Sequence, residues 1–164
     1  AALSMTGELY WNYKKGLFEV NASKIQGVTG SLKALKDPVK LRNLRVSSKN
    51  KYAAIFLTSL DKSSISASSG LILNTAARMD NTGTKYSPSH TSIIYGGSAP
   101  ILIEPVYSTI TVTVSKFKKA KVYKLDENYY KDGVYDNYTI SGNIIKIKTD
   151  EKSKCLNYYI ELER

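Results

Sequence analysis

The chain holds one cysteine and one histidine among its 164 residues. Cys155 therefore has no partner for an intrachain disulfide, and with His90 it falls short of the Cys/His sets of structural zinc. A polypeptide of this length buries roughly 70% of the surface its unfolded form exposes, so it needs neither staple. No stretch approaches the roughly 20 apolar residues of a membrane span, and none is expected. The opening Ala1-Ala2-Leu3-Ser4-Met5 lacks the basic and apolar regions of a leader peptide, which fits a mature chain or an excised segment. Catalytic signatures are missing too. There is no Gly-x-Ser-x-Gly elbow, no Gly-x-x-x-x-Gly-Lys phosphate loop, no Gly-x-Gly-x-x-Gly and no His-Glu-x-x-His. That pattern weighs against an enzyme, and no residue is assigned a catalytic role.

What is present has the balance of one soluble domain spanning residues 1–164, with 42% hydrophobic and 23% charged residues and no interdomain linker or repeat. The net charge is +10, from 24 Lys and Arg against 14 Asp and Glu. Residues 1–55 contribute +7 (10 basic, 3 acidic), residues 56–114 contribute 0 (3 and 3), and residues 115–164 contribute +3 (11 and 8). A basic domain invites a nucleic-acid reading, because neutralising phosphates supplies most non-specific affinity. The cations are scattered, however, and the densest run, Lys116, Lys118, Lys119, Lys121 and Lys124, lies largely on an expected strand whose alternate side chains point opposite ways. No nucleic-acid partner is expected.

The dominant hydrophobic period is two. Ile110, Val112 and Val114 alternate with Thr109, Thr111 and Thr113, and Leu156, Tyr158, Ile160 and Leu162 alternate with Asn157, Tyr159, Glu161 and Glu163. Further strands are expected at 8–13, 17–20, 24–32, 39–47, 51–59, 70–79, 91–95, 100–106, 119–125, 134–140 and 143–148. Asp132-Gly133 and Gly142-Asn143 read as tight turns. Many short strands at close spacing, rich in Tyr, Thr, Val and Ile, predict an all-β fold, an antiparallel β-sandwich of jelly-roll-like type. The serine-rich run Asp61 to Gly70 reads as a connection across the sandwich, and Asp80 to Pro100 as an irregular rim where binding groups commonly sit.

Among individual residues, His90 lies between serines and threonines with no carboxylate tied to it by spacing, which reads as a locally bonded loop histidine. Cys155 precedes a strand and reads as a small buried hydrophobe. Asp126, Glu127, Asp132, Asp136, Asp150 and Glu151 sit at turns, where carboxylates are solvated or bond nearby amides. Glu104 interrupts an apolar strand, either as an edge residue before Pro105 or as a partner for Arg78. Asn21-Ala22-Ser23 and Asn137-Tyr138-Thr139 match the glycosylation sequon, which matters only in a eukaryotic secretory context.

The aromatics are the most suggestive set. Trp11 and Tyr13 share one face of an expected strand, with Tyr10 on the other. Two aromatics on a sheet face can stack the apolar C–H face of a sugar, although the area of Trp11 alone favours a place in the core. Tyr86 and Tyr95 flank the irregular rim and are expected to be accessible.

Three segments also resemble a known pattern: Phe56-Leu57-Thr58-Ser59-Leu60-Asp61, then Leu71 through Arg78-Met79-Asp80-Asn81-Thr82-Gly83, then Ala99-Pro100-Ile101-Leu102-Ile103-Glu104-Pro105-Val106. With Thr6 to Val20 and Val122 to Asn128 at the flanks and Tyr158-Tyr159-Ile160 at the close, the chain resembles the accessory β-sandwich domain, similar to a carbohydrate-binding module, of large bacterial glycoside hydrolases. It departs from that pattern at Lys62-Ser63-Ser64, where the family usually has glycine, and at Tyr86 and Tyr95, around which the family often carries tryptophan. The resemblance implies a non-catalytic module of a secreted or cell-surface bacterial protein, with catalytic carboxylates in another domain. It implies polysaccharide and the parent catalytic domain as partners, with Trp11, Tyr13, Tyr86 and Tyr95 as carbohydrate-binding residues. The alternative it carries is a structural domain that packs on the catalytic barrel and binds no sugar. No cofactor is expected, and the sequence offers no readable ligand set for a structural calcium ion.

Overall fold

A computed structural model describes residues 1–164 and shows an all-β chain of 18 short strands. The first third contributes β1 (Ala2–Leu3), β2 (Leu9–Asn12), β3 (Leu17–Asn21), β4 (Ile25–Gly30), β5 (Val39–Lys40) and β6 (Leu44–Ser48). A central hairpin of β7 (Ala53–Ser59) and β8 (Gly70–Ala76) leads into β9 (Met79–Thr82), β10 (Lys85–Tyr86), β11 (Ile93–Tyr95) and β12 (Ser98–Ile103). The remainder is β13 (Ser108–Thr113), β14 (Lys119–Leu125), β15 (Lys131–Val134), β16 (Tyr138–Ser141), β17 (Ile144–Thr149) and β18 (Asn157–Glu163). The helical content is a single 3-10 turn at Leu32–Ala34, and no helix is long and apolar enough to cross a membrane.

The strands form two main antiparallel sheets. The large one has nine strands in the order β1-β2-β3-β4-β7-β8-β18-β14-β15, and the small one has five in the order β16-β17-β13-β6-β5. The period of two explains how they meet. Ala53, Ile55 and Leu57 of β7, Leu71 and Leu73 of β8, and Tyr158, Ile160 and Leu162 of β18 are all buried, while their neighbours along each strand are not, Gly70 beneath the Tyr159 ring excepted. Leu44 and Val46 of β6, Ile110 and Val112 of β13, and Ile145 and Ile147 of β17 answer them from the small sheet. These side chains belong to one cluster of 25 buried residues, which makes the two sheets a sandwich around a single core. Each fully buried Leu or Ile contributes roughly 1.5–3 kcal/mol of transfer free energy, so this layer dominates stability.

On the outer face of the large sheet, aromatic rings lie over glycine: Phe56 over Gly27 and Tyr159 over Gly70. A Cβ on Gly27 would sit 2.2 Å from the Phe56 ring and 2.7 Å from the Ile55 carbonyl oxygen, so no larger residue fits where Phe56 lies across β4.

Several local expectations are corrected. The serine-rich segment joins β7 to β8 within one sheet instead of crossing the sandwich. It is folded down by Ile65, which is fully buried in the core, and tied by Asp61 to the amides of Ser63 and Ser69. Asp132-Gly133 lies inside β15, and the turn falls earlier, where the Asp126 carboxylate accepts from the amides of Asn128 and Tyr130. The expected strand 39–47 is a hairpin broken at Leu41–Asn43, and 134–140 is interrupted between β15 and β16. Gly142-Asn143 is the two-residue turn expected, with Gly142 at φ 58° linking Ser141 to its partner Ile144.

Candidate functional site

Trp11 occupies the outer face of the large sheet close to its edge. Alternation along β2 puts Tyr10 on the inner side, where its hydroxyl accepts from Asn12 Nδ2 at 3.2 Å, and sends Trp11 outward. Its cross-strand neighbours are Phe18 on β3 and Ala2 on the short β1. Alanine there covers little, and the opposite sheet is on the other side, so Trp11 remains 54% exposed instead of entering the core. Tyr13, just past the strand, is 57% exposed and meets Trp11 edge to face, with ring centroids 6.0 Å apart and planes at 75°. The pair is a corner of two open rings, one offering its face and the other its edge, suited to an amphipathic flat ligand.

A second aromatic pair on the same outer face is closed. Register places Tyr123 of β14 opposite Tyr159 of β18, and their rings stack at 6.2 Å. Lys131 covers them, its ammonium 4.0 Å from the Tyr123 centroid and 2.9 Å from Glu161 Oε1. Both partners raise the Lys131 pKa, the hydrogen bond to Glu161 first, and the same bond lowers that of Glu161. Capped in this way, the tyrosines offer no free platform.

Tyr86 and Tyr95 lie elsewhere, in an arm formed by two small ribbons, β9 with β12 and β10 with β11. The rim expected to be irregular between Asp80 and Pro100 is thus about half strand, with residues 87–92 irregular as expected. The arm is anchored by Asn50, almost fully buried, whose Nδ2 donates to Glu104 Oε1 and to the Pro105 carbonyl, both at 2.8 Å, and whose Oδ1 accepts from the Tyr107 amide at 2.7 Å. Glu104 therefore serves Asn50 through its side chain and meets Arg78 only through the backbone, its amide donating to the Arg78 carbonyl. The Arg78 guanidinium pairs with Asp80 at 2.9 Å. Asp80 also accepts from the Tyr86 hydroxyl, a bond that pushes the Tyr86 pKa up. His90, held at φ 56°, lays its ring 5.3 Å from that of Tyr86.

Arg78, Asp80, Tyr86 and His90 line an open cleft of about 720 Å³ with an apolar wall of Leu102 and Ile103. Tyr95, 56% exposed, sits opposite Lys85 on β11, outside that lining. The four aromatics expected to bind sugar therefore fall into separate groups. The register Trp11, Phe18, Thr29, Ala54, Ala76 runs across the large sheet to the base of the arm. That is four strand spacings, or about 19 Å. The role of Asp80 was not read from sequence, although its position two residues from Arg78 on an extended chain signals a shared face.

Cys155 is half-buried against the core, and desolvation raises its thiol pKa, the reverse of what a nucleophile needs. The Asp150 carboxylate accepts from the Lys152 amide in its own turn. No group of three or more His, Cys, Asp or Glu side chains is placed to hold a metal ion. No protein-family model, curated protein or solved structure matches the chain.

Proposed function

We propose that the chain is a non-catalytic β-sandwich module that binds polysaccharide through exposed aromatic rings, as an accessory domain of a secreted bacterial glycoside hydrolase. The observation that carries this reading is the Trp11–Tyr13 corner. A tryptophan more than half exposed gives up burial that its large side chain would otherwise gain, and the two rings together have the amphipathic character that a sugar ring requires. The cleft beside Tyr86 and His90 is the second place where a pyranose finds an aromatic wall with hydrogen-bonding groups around it. The reading is tested by retardation of the folded protein in native gels containing xylan, β-glucan, mannan or pectin. Retardation that Trp11→Ala or Tyr13→Ala removes, with melting curves unchanged, is the expected result.

A second reading is a structural domain that docks on the catalytic barrel of a parent hydrolase. It is favoured by the arm, where Ile93, Ile94, Ile101, Leu102 and Ile103 are each about half or more exposed. Isolated two-stranded ribbons are marginal in water, and large aliphatics on both faces of one suit a protein neighbour better than a sugar. Failure of the folded protein to bind any of a wide glycan panel selects this reading over the first.

A further inference from the structure

The outward face of the small sheet collects the charge that looked scattered in the sequence. Its strands pair so that Lys40, Arg45, Thr111, Lys146 and Thr139 stand directly opposite one another in a single row across all five strands. The next row carries Ser47, Thr109 and Lys148. The alternate residues on the same strands, Val46, Ile110, Val112, Ile145 and Ile147, point into the core, so all four cations project to solvent on one face. From strand spacing, Arg45 and Lys146 are about 10 Å apart, and Lys148 lies about 7 Å along the strand from Lys146.

No salt bridge within the molecule neutralises this row. None of the five strands contains Asp or Glu. The ion pairs of the chain are Arg78–Asp80 and Lys131–Glu161, both elsewhere. Asp150, at one end of the face, accepts from the Lys152 amide and keeps its charge, so it offsets Lys49 and Lys148 beside it and leaves Lys40, Arg45 and Lys146 without an acidic neighbour on their strands. Like charges directly opposite one another, as Lys40 and Arg45 are, destabilise a sheet. An anionic partner relieves that repulsion.

We propose that this face binds an anionic polysaccharide, a glycan chain bearing carboxylate or sulfate groups. The inference rests on the polysaccharide-binding reading and goes beyond it, adding a second glycan site on the face of the sandwich opposite the Trp11–Tyr13 corner. Charge complementarity selects a polyanion, and the composition of the face selects among polyanions. Threonine and serine hydroxyls between the cations donate to and accept from sugar hydroxyls. Tyr138 is opposite Ile147 on the core side, and the one aromatic ring beside the cations is Tyr107, 36% exposed just before β13 with Ser47, Lys49, Thr109 and Lys148, whereas single-stranded nucleic acid relies on successive rings for base stacking.

The test measures binding of the wild-type chain to alginate and to heparin, with neutral β-glucan and a single-stranded oligonucleotide in parallel, by affinity electrophoresis and calorimetry at two salt concentrations. The expected result is binding to alginate or heparin that weakens with salt. The double substitution R45E/K146E is expected to weaken it at least about tenfold, while K118E/K119E, with the same change in net charge, leaves it largely intact. Melting curves of both variants verify folding. Equal losses in the two variants, or tighter binding to the oligonucleotide than to either glycan, overturn the proposal. Retention on neutral β-glucan that depends on Trp11, with no binding to alginate or heparin, overturns it too and leaves the broader reading standing. Absence of binding to every glycan overturns both.

Discussion

Gln26 and Asn43 exchange two hydrogen bonds across the gap between the sheets. The Asn43 amide donates to Gln26 Oε1 at 2.7 Å, and Gln26 Nε2 donates to Asn43 Oδ1 at 3.1 Å. Asn43 Nδ2 continues the chain to the Thr113 carbonyl at 2.8 Å. Gln26 is fully buried on β4, so this polar link fixes how the small sheet sits on the large one.

Removing one end strands the other. Gln26→Ala leaves the amide of Asn43 without its partner inside the sandwich and opens a cavity. A loss of about 2–4 kcal/mol is expected in urea unfolding, against less than about 1 kcal/mol for the exposed Lys24→Ala nearby.

Trp11→Ala separates a surface ring from a core ring. A buried tryptophan costs about 3–5 kcal/mol when truncated, whereas the half-exposed Trp11 is expected to cost about 1 kcal/mol. Calorimetric melting decides, and a small shift in Tm makes any accompanying loss of polysaccharide retardation attributable to the ligand contact.

The arm gives a third expectation. Ile94→Lys and Ile101→Lys lie on exposed positions of paired ribbons, so each is expected to change folding stability by less than about 0.5 kcal/mol. Each also lowers the tendency to self-associate at high concentration, measured by light scattering, because it breaks an apolar patch.

The sandwich was legible because its signal is local. Alternation in Ile110-Thr111-Val112-Thr113 and in Tyr158-Tyr159-Ile160-Glu161 marks the inward face directly, and those inward residues are in the core. The face of Trp11 was legible for the same reason, but its exposure was not. Exposure depends on whether an opposing sheet or a bulky neighbour covers the position, and register against Ala2 and Phe18 is set by strand pairing, which alternation within β2 does not carry. The basic row was hidden by strand pairing as well, here between distant segments. Lys40, Arg45 and Lys146 are up to 106 residues apart in sequence (146 − 40), and only strand pairing brings them side by side. Asp132-Gly133 misled because its turn chemistry is genuine, yet Gly133, at φ 94°, is spent on a bulged strand where β15 meets β14.

Asp61 carries a pH signature of the loop that closes the central hairpin. Its carboxylate accepts from the Ser69 amide at 3.0 Å, the Ser63 amide at 2.8 Å and the Ser59 hydroxyl at 3.1 Å. These bonds, led by the Ser69 amide, favour the ionised form and lower the pKa from 3.8 to about 2. A carboxyl whose pKa is depressed on folding adds stability that is fully present above its unfolded pKa and disappears as pH falls through the folded value. The contribution of Asp61 is therefore complete at neutral pH, declines below about pH 4 and is gone near pH 2. Asp61→Asn keeps the size of the side chain and one carbonyl acceptor but removes the charge. The expected outcome is a lower Tm for the variant at pH 7 and a gap from wild type that narrows between pH 4 and pH 2. A gap that stays constant over that range shows that the loop is held by shape and by Ser68, whose hydroxyl spans the Gly70 carbonyl and amide, and not by the ionised carboxylate.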